Sequence, residues 1–170
     1  MLRNICLIPA RGGSKRIPRK NIKLFHGKPL ICWSIECALK SGIFDQVYVS
    51  TDDKEIAEIS LLSGAKVPFI RPSKISNDHA VDNDVINHFL SWCKKHKIDI
   101  DILCYLYPTA PFISIETLEG CKKLLLEKNN FKVFTITKYP YNPYRSLKKS
   151  EDQTISFAFP KYEKTRSQDL

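Results

Sequence analysis

Ile5-Cys6-Leu7-Ile8 is apolar at every position and is closed by Pro9. A strand buried on both faces reads this way, whereas a strand with one wet face alternates. Such a strand needs helices on both sides, and the following sequence supplies them. Pro29 suits a first helical turn, Ile31, Ile35, Ala38 and Leu39 recur at helical spacing, and Gly42 is a stop signal. Val47-Tyr48-Val49 reads as a second strand. Ser50-Thr51-Asp52-Asp53 offers N-caps for a helix carrying Ile56, Ile59 and Leu62, which Gly64 ends.

The alternation continues. Lys66 to Ile70 predicts a short third strand. Residues from about Asp78 to Lys97 predict a helix, with Val81, Val85, Phe89 and Cys93 on one face. Ile102 to Tyr107 is another strand, broken by Pro108-Thr109-Ala110-Pro111. A helix from Ile115 to Glu127 precedes a strand from Val133 to Thr137. This order predicts an α/β fold of three layers, a mainly parallel sheet covered by helices. The pattern changes after Lys138. Tyr139-Pro140-Tyr141-Asn142-Pro143-Tyr144 is a proline–aromatic connection, and Thr154 to Phe159 alternates like an antiparallel strand. The expected division is residues 1–138 as the main domain and 139–170 as a small projecting segment.

Charge narrows the function. The chain of 170 residues carries a net +9, and the surplus is local. Residues 1–35 hold eight basic side chains and no acidic one, while the remainder is nearly balanced. Such a cluster suits a polyanionic small molecule or a nucleic acid. The confinement of the charge and the lack of a recognisable RNA motif with aromatic platforms argue against nucleic acid. No apolar run approaches the roughly 20 residues of a membrane span. The opening residues lack the apolar core of a secretory signal, so the expected location is the cytoplasm. The six cysteines form no Cys-x-x-Cys pair, and they and the four histidines lack metal-ligand spacing. They are expected to be reduced thiols within the core.

Ligands of open α/β sheets bind beyond the carboxyl ends of strands. There the sequence places Ala10-Arg11-Gly12-Gly13-Ser14-Lys15-Arg16. Adjacent glycines let backbone N–H groups turn toward an anion, and cations surround them. The loop has neither the Walker pattern nor G-x-G-x-x-G. A triphosphate is the natural ligand for this charge density.

The stretch Leu7 to Asn21, reading LIPARGGSKRIPRKN, closely resembles the N-terminal signature of the CMP-sialic acid synthetases, the acylneuraminate cytidylyltransferase family. Further matches follow in order: Ser50-Thr51-Asp52-Asp53, Arg71-Pro72, Asp78 with Ala80, and Leu106-Tyr107-Pro108-Thr109-Ala110-Pro111. The resemblance implies a Rossmann-like nucleotidyltransferase domain and a homodimer that exchanges its projecting segments. It implies that the anomeric hydroxyl of a nine-carbon keto sugar acid, a nonulosonic acid, attacks the α-phosphate of CTP. Pyrophosphate leaves and a CMP-sugar for surface glycans forms. Magnesium is the implied cofactor.

The resemblance sets the nucleotide at Ala10, Arg11, Gly12, Gly13, Ser14, Lys15, Lys20, Asn21 and Arg71. Arg11, Lys20 and Asn21 are the implied catalytic residues, and Arg71 is on the cytosine side. Phosphoryl transfer is mostly positioning and electrostatics, which suits Arg forks and mobile Lys charges. Tyr107 stands where many sialic acid enzymes carry glutamine, and the pseudaminic acid branch resembles this chain in carrying tyrosine. Tyrosine offers one hydroxyl and a ring face where glutamine offers a donor and an acceptor. Arg145 and Arg166 match positions that face the sugar acid, Arg166 across the dimer. Asp52 and Asp53 read as helix caps and support for the nucleotide loop.

Family members continue for some tens of residues past the match to Leu170, and that continuation carries the metal-holding aspartates. The expectation is therefore that the family's C-terminal part is absent here and the metal ligands with it. The expected function is a cytidylyltransferase for pseudaminic acid. A sialic or legionaminic acid enzyme is the alternative within the class, and a catalytically inactive CTP-binding fragment or a nucleic-acid module the alternative outside it.

Overall fold

The computed structural model describes residues 3–127 and 131–170 and divides into two compact units, one up to Val133 and one from Phe134 to Leu170. The first unit is built on a parallel sheet of order β4-β1-β5. Its strands are β1 (Asn4–Pro9), β4 (Gln46–Ser50) and β5 (Ile102–Tyr105). The hairpin of β2 (Leu24–Phe25) and β3 (Lys28–Pro29) stands apart from it. Helices α1 (Leu30–Lys40), α2 (Lys54–Leu62), α3 (Asp82–Lys95) and α4 (Ile115–Glu127) follow in chain order.

The unbroken apolar run of β1 works as its pattern predicts. Ile5, Cys6, Leu7 and Ile8 are all fully buried, but alternate residues enter different cores. Cys6 and Ile8 pack with Ile31 and Ile35 of α1 and Ile56 of α2. Ile5 and Leu7 pack with Tyr48 and with Phe89 and Cys93 of α3. The sheet is thus the middle of three layers. Each fully buried Ile or Leu contributes on the order of 1.5–3 kcal/mol, so β1 is the best-secured element and a rigid base for the loop that follows.

Local signals set the ends. Gly42 and Gly64 have φ of 64° and 92°, the left-handed conformation that ends α1 and α2 without a Cβ penalty. Asp53 caps α2, accepting from Ile56 N at 3.0 Å. The six cysteines are free thiols, with Cys6, Cys32 and Cys93 buried.

Several expectations need correction. The third strand reduces to two isolated parallel bridges, Tyr48 with Lys66 and Thr51 with Ile70. The helix expected from about Asp78 begins at Asp82, because residues 76–81 are held in a turn in which Asn77 Oδ1 accepts from His79 N and Ala80 N. The strand expected to reach Tyr107 stops at Tyr105. Residues 133–137 are irregular rather than a strand, with Phe134 and Ile136 exposed. β-Branched composition marks a preference, but a strand forms only where a neighbouring backbone completes its ladder.

In the second unit, β6 (Leu147–Lys149) pairs antiparallel with β7 (Ile155–Phe157), matching the alternation in 154–159. No helix of the described residues is long and apolar enough to cross a membrane.

Candidate active site

A cleft of about 520 Å³ opens at the carboxyl ends of β1 and β5. Of the expected site residues, Arg11, Ser14, Lys15, Lys20, Asn21, Arg71 and Tyr107 line it. Ala10 sits behind the cleft, fully buried, its N–H donating to Ser50 O at 2.9 Å. That bond extends the β1–β4 ladder by one residue and fixes where the glycine loop departs.

Gly12 is held from below. Its N–H donates to Asp52 Oδ1 at 3.0 Å. A Cβ at Gly12 would lie 2.6 Å from Asp53 Oδ2, so the loop can run this close to α2 only with glycine. Gly13 is exposed, with nothing within 4 Å of an added Cβ. Asp52 and Asp53 therefore support the loop, and Asp53 also caps the helix.

Asn21 is buried beside this loop, and its Nδ2 donates to Arg11 O at 2.9 Å. Its Oδ1 is buried with no hydrogen-bond partner among the described residues. A buried acceptor left open at the edge of a cleft is a ready contact for a ligand donor. Lys20 lines the same wall, and no ion-pair partner takes up its ammonium among the described residues. Arg19, which precedes them, points away to Asp53 and Glu55.

Arg71 is a buried guanidinium. Its Nε donates to Ser76 Oγ at 2.9 Å and its Nη1 to Ser50 O at 3.4 Å, while Nη2 lies 3.9 Å from Asp52 Oδ1. Burial pulls its pKa below the ordinary arginine value, and Asp52 acts in the opposite direction.

On the opposite wall, Asp82 opens α3 and accepts from both Tyr105, at 3.0 Å, and Tyr107. Burial first, then Asp82, raises the Tyr105 phenol above its ordinary value, and Asp82 first does the same for Tyr107. Both are neutral hydroxyls at physiological pH. Asp78 reaches across the mouth to Arg11, at 2.8 Å, and to Lys15.

Arg145 and Arg166 belong to the second unit. There Arg145 Nη1 donates to the carbonyls of Tyr162, Glu163 and Thr165 at 2.9–3.4 Å, and its guanidinium lies 5.1 Å from the Phe157 ring centre. Arg166 makes a forked pair with Asp169.

Sequence reasoning assigned no site role to Ser76, Asp78, Asp82 or Tyr105. Asp78 entered only as part of the resemblance, and Ser76, Asp82 and Tyr105 carried no local signal of a site.

The family model described as Cytidylyltransferase matches residues 5–163 of this chain. The chain belongs to the cytidylyltransferase family. It is 42% identical over 169 residues to the pseudaminic acid cytidylyltransferase of Campylobacter jejuni, covering 99% of this chain and 73% of that protein. It is 40% identical over 120 residues to the CMP-N,N'-diacetyllegionaminic acid synthase of Legionella pneumophila, covering 69% of this chain and 50% of that one. Among solved structures, CMP:2-keto-3-deoxy-manno-octonic acid synthetase complexed with CTP matches with a TM-score of 0.62 and 28% identity. That match covers 75% of this chain and 48% of the other. The three-layer α/β architecture is thus that of a cytidylyltransferase.

Proposed function

We propose that this cytidylyltransferase transfers CMP from CTP to a nonulosonic acid, pseudaminic acid, and releases pyrophosphate. The observation that carries the substrate is the 42% identity, over nearly the whole chain, to a pseudaminic acid cytidylyltransferase. Tyr107, at the position that distinguishes that branch, supports it.

In this reading the triphosphate enters the cationic wall of the cleft. Arg11, Lys15 and Lys20 take its non-bridging oxygens, with the backbone N–H of Gly13 and the Ser14 hydroxyl beside them, while the Gly12 N–H stays with Asp52. The anomeric hydroxyl oxygen of the sugar forms the new bond to the α-phosphorus. The bond from the α-phosphorus to the bridging oxygen breaks, and its electron pair leaves on pyrophosphate. The hydroxyl proton passes to solvent. Cations aimed at the departing pyrophosphate stabilise charge as it develops. The open Asn21 Oδ1 accepts from a substrate donor near the reacting phosphate. Arg71, anchored by Ser76 and Ser50, reads the cytosine side. Tyr107 presents its ring and hydroxyl to the sugar.

Among the described residues no three His, Cys, Asp or Glu side chains come together to hold a metal ion, so they do not fit a cation held by protein alone. Magnesium enters the proposal with the triphosphate, whose oxygens are its ordinary ligands. The homodimer through 139–170 is part of the same reading, supported by the exposure of Tyr139, Tyr141, Leu147 and Ile155. The reaction is set in the cytoplasm, where nucleoside triphosphates are made.

The test is pyrophosphate release from CTP and magnesium with pseudaminic, legionaminic or N-acetylneuraminic acid. Release with pseudaminic acid at the highest kcat/KM is expected. Preference for another of the three would overturn the substrate. CTP binding without release from any of them would make the chain a binding fragment.

A further inference from the structure

We propose that Asp78 is a built-in stand-in for phosphate that occupies the Arg11 and Lys15 cations until a polyphosphate displaces it. This rests on the nucleotide reading of the cleft. One carboxylate oxygen lies 2.8 Å from Arg11 Nη1 and the other pairs with Lys15 Nζ. One anionic group thus bridges two cations of the glycine loop, as a phosphate would.

The position is constructed. Asp78 lies 67 residues from Arg11, on a loop fixed at several points. Ser76 Oγ accepts from buried Arg71 and donates to Pro72 O at 3.0 Å. Asn77 Nδ2 donates to Lys74 O at 2.9 Å, and its Oδ1 accepts from His79 N and Ala80 N. The residues on both sides of Asp78 are tied down, and its side chain is left to face the cations. Lys15 first, then Arg11, holds its carboxyl below the ordinary range, so it is charged at neutral pH.

The consequence is a hold that is taken and given back by charge. A triphosphate or pyrophosphate carries several negative charges and outcompetes a single carboxylate for both cations. The phosphodiester of a CMP-sugar carries one, no more than Asp78 itself. After pyrophosphate departs, Asp78 reclaims Arg11 and Lys15 and the product loses its hold. Asp78 thereby weakens every ligand that claims these cations by the same factor and speeds its release, without touching the reacting atoms.

The test measures direct binding of inorganic pyrophosphate, CTP and CMP by calorimetry to the wild type, Asp78→Asn and Asp99→Asn. Asp99 is an exposed acid before β5, at the other end of the strands, and controls for net charge. Both ion pairs are partly exposed, so their loss has a modest effect. Asp78→Asn is expected to tighten pyrophosphate and CMP by about three- to tenfold, with Asp99→Asn within about twofold of wild type. The pyrophosphate gain should appear as stronger product inhibition. Unchanged or weaker pyrophosphate binding by a folded Asp78→Asn would overturn the proposal, as would equal tightening in Asp99→Asn. Pyrophosphate needs no cytosine and no sugar. A wild type that binds pyrophosphate but does not prefer CTP to other nucleoside triphosphates would therefore sink the cytidylyl reading and leave the Asp78 result standing.

Discussion

Arg19 and Asp53 face each other as a guanidinium–carboxylate fork, with Arg19 Nη2 3.0 Å from Asp53 Oδ1 and Nη1 on the other oxygen. Arg19 has φ of 54°, a left-handed conformation that costs a non-glycine residue energy. The fork offsets that cost. It also binds the end of the cationic stretch to the start of α2, which leaves Lys20 and Asn21 facing the cleft.

Substituting Asp53 separates its two duties. Asparagine keeps the N-cap and loses the charge, while alanine loses both. Asp53→Ala should therefore be less stable than Asp53→Asn by about 1 kcal/mol in urea unfolding at pH 7. The Asp53 carboxyl is held below its ordinary value, chiefly by Arg19. A carboxyl depressed in the folded state stabilises above its unfolded pKa of about 3.9 and loses that contribution as pH falls through the folded value. The stability of Asp53→Asn should accordingly fall less than that of wild type between pH 5 and pH 3.

The two glycines of the loop should respond differently to alanine. At Gly12 the new methyl meets Asp53 Oδ2 at 2.6 Å, and at Gly13 it meets nothing. Gly12→Ala should cost about 1–3 kcal/mol in stability and weaken CTP binding, because relieving the overlap moves the Asp53 cap and its Arg19 partner. Gly13→Ala should stay within about 0.5 kcal/mol of wild type. Thermal unfolding with and without CTP compares them.

Lys20 bears charge without a stabilising ion pair among the described residues, so its removal should spare the fold. Lys20→Glu should lower kcat for pyrophosphate release by roughly 100-fold or more, with the unfolding midpoint near wild type. Lys20→Arg should recover part of the rate. A Lys20→Glu enzyme with normal kcat would remove this side chain from the reaction.

Tyr107 allows a sharper separation. Tyr107→Phe keeps the ring and loses the hydroxyl that Asp82 accepts from. The ratio of kcat/KM for pseudaminic over N-acetylneuraminic acid should drop by about tenfold, with CTP affinity unchanged. Equal losses with both sugars would show that Tyr107 packs the strand end and reads nothing.

How much the sequence disclosed depended on how far apart the partners lie. The β1 core and the glycine loop were legible because run, glycines and cations are contiguous from Ile5 to Asn21. The Asp53 cap was legible because its partner, Ile56 N, is three residues away. Asp78 and Asp82 act over 67 and 25 residues, and no local pattern separates such acids from solvated ones. The expected strand at Val133–Thr137 fails for the complementary reason: its residue types fit a strand, but pairing is decided by backbone elsewhere in the chain.

Two independent routes join the glycine loop to the loop bearing Asp78. One is direct, from Arg11 to Asp78. The other runs from Gly12 through Asp52 and Arg71 to Ser76. The first lies at the mouth and is broken by any anion that claims Arg11. The second lies in the interior, around a guanidinium that water hardly reaches. Loss of the first route would therefore leave the two loops joined through Arg71.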